Sequence, residues 1–266
     1  MIRVAQLTKG YGDNPVLRGI DLRIEAGEFV VILGQSGAGK STLLRCMNRL
    51  AKADSGELQV AGVNAMRAAD QRALRRQVAM IFQHHNVVPR LSVLKNVLTG
   101  RLGHCSTLTS LLQLFRRDAV ALARDCLRRV ELEHKAGSRT DALSGGQMQR
   151  VGIARALAQR PQVILADEPV ASLDPNTAQV VMQYLREASR TLGITVVCNL
   201  HQVDLARAFA DRIVGLASGR LVFDGPPGHL DEAALQRIYH TPSSDEPAVS
   251  LAVARPMLTT DTGASA

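Results

Sequence analysis

A glycine-rich segment at 34–41, called the phosphate loop below, has the residue types and spacing of a phosphate-binding turn. It consists of Gly34, Gln35, Ser36, Gly37, Ala38, Gly39, Lys40 and Ser41, and Thr42 follows it. Because glycine lacks a Cβ atom, backbone N–H groups can converge on phosphate oxygens, and a helix beginning here adds its positive end. A lysine at this position reaches the β- and γ-phosphates of a nucleotide, and the serine hydroxyl binds Mg²⁺. The segment therefore predicts a nucleotide site that uses Lys40 and Ser41.

Two adjacent carboxylates, Asp167 and Glu168, directly follow the apolar run 163–166. Ligands of parallel sheets gather at the carboxyl ends of the strands, so we expect both side chains beside the phosphate loop. Asp167 would hold Mg²⁺ through water next to Ser41, and Glu168 would polarise the attacking water as a general base. Adjacent carboxylates are common on plain surfaces, but an apolar strand before them and a phosphate loop in the same chain favour catalysis.

A second glycine segment, 143–147, lies far along the chain from the phosphate loop and contains Ser144, Gly145, Gly146 and Gln147. Serine is a favoured N-cap, and two glycines leave the backbone amides at a helix N-terminus open to an anion. One chain then carries one phosphate loop but two surfaces that grip phosphate. This predicts a homodimer in which the second glycine segment contacts the γ-phosphate bound by the other copy. Alone, the glycine pair could equally be a joint between a loop and a helix.

Short apolar runs that alternate with helical patterns must position these residues. Runs at 29–33, 78–82, 162–166 and 194–200 predict buried strands, and the phosphate loop follows the first of them. The alternation predicts an α/β core with a largely parallel sheet. We expect an ATPase domain at 1–240, with a helical lobe at about 84–160. Residues 241–266 are rich in Pro, Ser, Thr and Ala without periodicity, which predicts a flexible C-terminal tail.

The composition narrows the classes of function. The chain has 266 residues, of which 46% are hydrophobic and 3% aromatic, and tryptophan is absent. This length can bury a sizeable core of aliphatic side chains. Scarce aromatic rings argue against binding of single-stranded nucleic acid, which stacks bases on exposed rings. The net charge of +8 suits nucleotide phosphates, nucleic acid or an anionic membrane surface.

The arginines and the cysteines lead to predictions about the surface and the core. Much of the positive charge belongs to Arg116, Arg117, Arg124, Arg128 and Arg129. We interpret these arginines as a solvated helix face, with contact to phospholipid or a membrane partner as the alternative. The cysteines form no Cys-x-x-Cys pair, so no metal cluster is predicted. Cys46 and Cys198 are expected to be buried thiols in a reducing cytosol. No signal peptide and no membrane helix of roughly 20 apolar residues is predicted.

Taken together, these segments resemble those of ABC (ATP-binding cassette) transporter ATPases, over about residues 4–225. The resemblance implies a P-loop NTPase fold of the ABC type, with a RecA-like core, an antiparallel β subdomain and an inserted helical lobe, and it implies ATP and Mg²⁺ as cofactors. Tyr11 matches the aromatic residue that stacks on adenine, and Gln83 matches the glutamine that touches Mg²⁺ and reports to the membrane subunit. Asp174 matches a loop that crosses the dimer interface. His201 matches the switch histidine, which contacts the γ-phosphate and positions the water.

A narrower resemblance connects the segments 82–101, 168–174, 199–204 and 211–215 to the ATPases of phosphonate importers. It implies import of phosphonates, or of phosphite or phosphate esters. It also implies a homodimer of ATPase subunits, transmembrane permease subunits and an external or periplasmic substrate-binding protein, with this chain on the cytoplasmic face of the membrane. No residue of the chain is expected to touch the transported substrate, so the substrate expectation rests on family likeness alone.

Two other functions share parts of the pattern. The ATPase of a lipoprotein-release or efflux ABC transporter is the alternative within transport. A DNA-repair or chromosome-structuring ATPase also pairs two such motifs across a dimer. Those chains need long coiled-coil or zinc insertions between the motifs, which this sequence lacks, so we expect no nucleic-acid partner.

Overall fold

The computed structural model describes residues 1–83, 86–104 and 115–239. Its strands are β1 (Ile2–Tyr11), β2 (Asn14–Ile24), β3 (Phe29–Leu33), β4 (Ser55–Val60), β5 (Val63–Asn64), β6 (Val78–Ile81), β7 (Val163–Asp167), β8 (Thr195–Asn199), β9 (Arg212–Ala217) and β10 (Arg220–Gly225). Its helices are α1 (Lys40–Met47), α2 (Gln71–Gln77), α3 (Val93–Leu98), α4 (Arg117–Arg129), α5 (Gly145–Ala158), α6 (Pro175–Leu192), α7 (Val203–Phe209) and α8 (Glu232–Tyr239).

The larger sheet places the predicted site residues at one edge. Its strand order is β10-β9-β3-β8-β7-β6, with parallel pairing from β9 through β6 and an antiparallel β10. Every residue of β3, β7 and β8 is buried, as their continuous apolar runs predict for strands covered on both faces. The α/β fold with a largely parallel sheet is therefore confirmed.

A smaller antiparallel sheet, ordered β2-β1-β4-β5, packs beside the first. Strands β1 and β2 alternate buried and exposed residues, so Ile2, Leu7, Ile20 and Ile24 face the interior. These side chains join β3 and α1 in one hydrophobic cluster. The tip of the β1–β2 hairpin is thereby held next to the carboxyl end of β3.

Helices α3, α4 and α5 pack together with the opposite face of the larger sheet. Val97 of α3, Leu127 of α4 and Val151 of α5 are fully buried, and they belong to the same hydrophobic cluster as Ile164 of β7. Helix α4 is amphipathic, because its apolar side chains recur on one face while its arginines remain exposed. Helix α5 connects this group of helices directly to β7.

The predictions about the cysteines and the arginines can be compared with the structure. Cys46 and Cys198 are buried as predicted, and burial raises the pKa of Cys46 to about 11. Arg128 pairs with Asp125 at 3.1 Å and with Glu133 at 2.9 Å, so part of the positive charge of α4 is compensated locally. Among the described helices, none combines the length and the apolar character of a membrane-spanning segment. His84, His85, Cys105 and the predicted tail at 241–266 lie outside the described residues.

Candidate functional site

The phosphate loop connects β3 to α1 in a conformation that requires its glycines. Gly39 caps α1 with φ of 103°, in the left-handed region that side chains with a Cβ rarely adopt. A Cβ on Gly34 would lie 2.3 Å from the carbonyl oxygen of Leu216, so no other residue fits there without movement of β9. Helix α1 begins at Lys40, within the phosphate loop. Its N-terminal amides point into the loop.

The ammonium group of Lys40 is held inside the loop that precedes it. Its Nζ donates to the carbonyl oxygens of Gly34 at 2.7 Å and Gln35 at 2.9 Å. Lys40 is 4% exposed, and burial lowers its pKa, while the nearby carboxylates of Glu168 and Asp167 act in the opposite direction. A buried cation with weak neutral acceptors is well placed to exchange them for anionic oxygens.

Ser41 and Asp167 meet at the carboxyl ends of β3 and β7, as the sequence predicts. Ser41 Oγ donates to Asp167 Oδ1 at 2.7 Å. The same carboxylate oxygen accepts a hydrogen bond of 2.9 Å from Asn199 Nδ2, because the parallel register places Asp167 opposite Asn199 of β8. Asn199 is fully buried, and its Oδ1 atom has no hydrogen-bond partner. The hydroxyl of Ser41 and the amide nitrogen of Asn199 thus both donate to one carboxylate oxygen of Asp167.

Asn199 is a site residue that the sequence reasoning did not select. The sequence carries a sign of this role, because Asn199 follows apolar residues near the end of the run 194–200, much as Asp167 follows those at 163–166. Residues at the ends of neighbouring parallel strands lie at one edge of the sheet. The contact itself depends on the register between β7 and β8, which an isolated sequence does not fix.

Glu168 and His201 form a second polar pair beside the first. His201 Nε2 lies 2.6 Å from Glu168 Oε1. Glu168 adopts φ of 50°, an uncommon value for a residue with a side chain, which turns the chain sharply after β7. Such a conformation costs on the order of 1–3 kcal/mol and persists only where its surroundings impose it. The turn separates the two adjacent carboxylates, so that Asp167 contacts Ser41 while Glu168 faces His201.

An open cavity of about 330 Å³ lies over the phosphate loop. Among the described residues, its lining consists of Asn14, Val16, Ser36, Gly37, Gly39, Lys40, Ser41, Thr42 and Glu168. The loop, the start of α1, the β1–β2 hairpin and a carboxylate therefore enclose one space. The ammonium of Lys40 and the backbone amides of the loop suit the phosphate chain of a nucleotide, and Glu168 would lie near its reacting end.

Tyr11 is at the tip of the β1–β2 hairpin, near the cavity rim to which Asn14 and Val16 contribute. Tyr11 is 52% exposed, so the residue is accessible to a ligand. The ammonium of Lys9 lies 4.9 Å from the ring centroid, and it also pairs with Asp54 at 2.7 Å. The cation attracts the face of the ring and holds it in place. This arrangement favours a stacking role for Tyr11.

The second glycine segment forms the N-terminus of α5, away from the lining of the cavity. Ser144 Oγ accepts from the amide of Gln147 at 3.3 Å, and Gln147 Oε1 accepts from the amide of Ser144 at 3.2 Å. This capping box confirms the N-cap that the sequence predicts for Ser144. A Cβ on Gly146 would lie 2.5 Å from Thr177 Cγ2. Close packing against α6 therefore also requires glycine at this position.

Gln83 and Asp174 are also separate from the cavity lining. Gln83 is exposed shortly after β6. Asp174 is the N-cap of α6, where its carboxylate accepts from the amide of Thr177 at 3.1 Å. Hydrogen bonds from the side chain and then from the backbone of Thr177 lower the pKa of Asp174. Within one copy of the chain, the structure therefore brings Lys40, Ser41 and the two carboxylates 167–168 together. The second glycine segment, Gln83 and Asp174 lie apart from them.

Comparison with known proteins identifies relatives over most of the chain. A model of the family described as "ABC transporter" matches residues 17–171. The chain is 52% identical over 255 residues to the phosphonates import ATP-binding protein PhnC of Thiobacillus denitrificans, covering 95% of this chain and 98% of that relative. It is 51% identical over 249 residues to the phosphite import ATP-binding protein PxtA of Stutzerimonas stutzeri, covering 93% of this chain and 90% of that relative.

A solved structure shares the fold. It is described as a dimeric, post-hydrolysis state of an ATP-binding cassette bound to ADP and Pi. The TM-score is 0.73 at 34% sequence identity, over 85% of this chain and 99% of that chain. At 85% of this chain, this likeness extends beyond the segment 17–171 matched by the family model.

Proposed function

The chain belongs to the ABC transporter family, and we propose that it is the ATP-hydrolysing subunit of an importer for phosphonates or for phosphite. The observation that carries ATP hydrolysis is the pair formed by Glu168 and His201, 2.6 Å apart beside the phosphate loop. A module that only binds nucleotide has no use for a carboxylate held at the reacting end of the site. The class of substrate is supported by the names of the relatives, at 52% and 51% identity.

The oxygen atoms around Ser41 fit Mg²⁺, which prefers hard oxygen ligands and keeps several waters. Ser41 Oγ would bind the ion directly, and Asp167 would hold it through water, with Gln83 approaching from β6. Asn199, whose Nδ2 donates to Asp167, would orient the carboxylate that holds such a water. When bound, the ion supplies positive charge beside the phosphate oxygens.

Within one subunit, different residues would bind the nucleotide and activate the attacking water. Lys40 leaves its two carbonyl acceptors and contacts the β- and γ-phosphates, while backbone amides of the phosphate loop surround the remaining oxygens. Tyr11 stacks on adenine. Glu168 accepts a proton from the attacking water, and His201 contacts the γ-phosphate and orients that water.

The second glycine segment would complete the site of another copy. The amides of Gly145 and Gly146, at the N-terminus of α5, and the hydroxyl of Ser144 face the γ-phosphate held by the partner's phosphate loop. Asp174 would lie in the loop that crosses between the copies. Two ATP molecules then favour the closed dimer because only that state makes both sets of contacts.

The transport partners follow from the family. Permease subunits would take up the closing movement through a helical lobe at about 84–160, which places the chain peripherally at the cytoplasmic face of the membrane. A substrate-binding protein outside the membrane would select the phosphonate or phosphite. Residues 241–266 would form a flexible tail outside the ATPase domain at 1–240.

An allele encoding Lys40→Ala tests the proposed substrate in the organism that encodes the chain. We expect growth to fail when a phosphonate or phosphite is the sole phosphorus source and to continue on orthophosphate, because an importer without nucleotide contact cannot move substrate. Cell yield on each source is the measurement, and an allele encoding Lys52→Ala, a lysine outside the cavity, is the control. Normal growth of the Lys40→Ala strain on both sources would contradict this substrate class and would favour an efflux or lipoprotein-release transporter.

Asn199→Ala tests the proposed oxygen site. Removing a hydrogen bond to a charged group is expected to lower ATP turnover about tenfold and to raise the Mg²⁺ concentration needed for half-maximal turnover. Turnover measured across a Mg²⁺ titration reports both effects. Asn48→Ala is the control, because Asn48 is also buried but has no contact with Asp167. An unchanged Mg²⁺ dependence in Asn199→Ala would remove Asn199 from the site.

A further inference from the structure

Helix α8 ends against two loops of the candidate site, and we infer that Tyr239 is a positioning residue for ATP hydrolysis. The hydroxyl of Tyr239 donates to the backbone carbonyl of His201 at 3.3 Å. The backbone carbonyl of the same residue accepts a hydrogen bond from Gln35 Nε2 of the phosphate loop. One residue thus touches both the loop that holds phosphate and the loop that carries the histidine. The inference rests on the proposed function.

The position of Tyr239 is fixed by the core rather than by the loops that it contacts. Ile238, the residue before it, is 1% exposed and packs so closely on Gly215 of β9 that a Cβ there would lie 2.5 Å from its side chain. Ala234, one turn earlier, is fully buried. The segment leading into α8 is held by Arg207, which donates to the carbonyl of Leu230 at 2.8 Å. Core packing therefore holds helix α8 in place, and the two loops are hydrogen-bonded to its last residue.

The contact reaches the reacting groups through one further hydrogen bond. His201 follows β8 and is exposed apart from its contact with Glu168 at 2.6 Å. A bond to the backbone of His201 restricts the rotation of this loop without touching the imidazole. The distance between His201 and Glu168 then depends on where α8 holds the loop. Small errors in the placement of a catalytic group carry large costs in rate.

The hydroxyl of Tyr239 is suited to a lasting structural contact. Burial raises its pKa above the ordinary value, so it remains protonated and able to donate throughout the physiological pH range. The carbonyl of His201 has no titratable hydrogen. The contact should therefore act equally at every pH at which the enzyme works, unlike a contact made by the imidazole itself.

Tyr239→Phe in the full-length chain tests the inference, because it removes the hydroxyl and keeps the ring. We expect kcat for ATP to fall about fivefold, the rate equivalent of one neutral hydrogen bond, with KM for ATP and the unfolding temperature unchanged. Tyr184→Phe is the matched control, since Tyr184 lies on α6 and contacts neither loop; its kcat should equal that of the wild type.

Three other results would overturn the inference, and they are distinguishable. An unchanged kcat in Tyr239→Phe would show that the hydroxyl does not position the loop. A fall in kcat accompanied by a raised KM and a lower unfolding temperature would show a general structural role. Absence of ATP hydrolysis in the folded wild-type chain would overturn the proposed function itself, and this inference with it.

Discussion

Glu168→Gln is expected to reduce ATP turnover by at least about a hundredfold, while ATP binding is kept. An amide has nearly the shape of a carboxylate and can still contact His201, now 2.6 Å from Glu168 Oε1, but it cannot accept a proton from water. General-base catalysis contributes roughly 10²–10⁴ in rate, which sets the size of the loss. Steady-state release of phosphate at saturating Mg·ATP measures it. Glu187→Gln, an exposed position on α6, is the control for the loss of one negative charge.

Hydrolysis at the wild-type rate in Glu168→Gln would remove Glu168 as the base. Loss of ATP binding together with turnover would also contradict the account, because it would mean that the carboxylate maintains the loop rather than the reaction. Binding of ATP should therefore be measured on the same preparation, by titration with a fluorescent analogue.

Ser144→Arg is the second change with a large expected effect. The arginine would project from the N-terminus of α5 into the space where the proposed partner's phosphate is held, and it would remove the capping box with Gln147. We expect turnover to fall at least about a hundredfold, because an interaction made only in the closed dimer is lost, while one copy still binds nucleotide through its own phosphate loop. Turnover and nucleotide affinity, measured side by side, separate the two effects.

Ser92→Arg is a matched control for this change. Ser92 caps α3 through the amide of Lys95 at 3.2 Å, much as Ser144 caps α5, so both variants lose one cap and gain one arginine. A lost cap costs about 1 kcal/mol of stability in either place. Only Ser144→Arg should abolish turnover. Equal loss of nucleotide affinity and turnover in Ser144→Arg would show that the second glycine segment does not act across a dimer.

Local sequence patterns predicted the parts of the site that depend on local conformation. The phosphate loop follows a buried strand and precedes a helix because glycines, a continuous apolar run and a helical pattern are adjacent in the chain. Ser144 was predictable as an N-cap for the same reason. The position of Asp167 beside Ser41, at 2.7 Å, followed from the rule that parallel strands end at one edge.

Contacts that depend on register and long-range packing were not predictable in this way. The bond from Asn199 to Asp167 requires β7 and β8 to pair with those residues opposite each other. Tyr239 reaches His201 only because α8 packs on Gly215, in a strand that follows the histidine in sequence. The residue type alone does not predict either hydrogen bond, because asparagine and tyrosine occur at strand and helix ends for many reasons.

We propose that the phosphate loop of one copy and the second glycine segment of another copy bind the same nucleotide. The most direct test is the mass in solution of the Glu168→Gln chain at saturating Mg·ATP, with and without Ser144→Arg. We expect Glu168→Gln alone to have twice the mass of the 28.7 kDa chain with ATP and the mass of one chain with ADP. The double variant should bind ATP and keep the mass of one chain. An ATP-dependent dimer that survives Ser144→Arg would contradict the account.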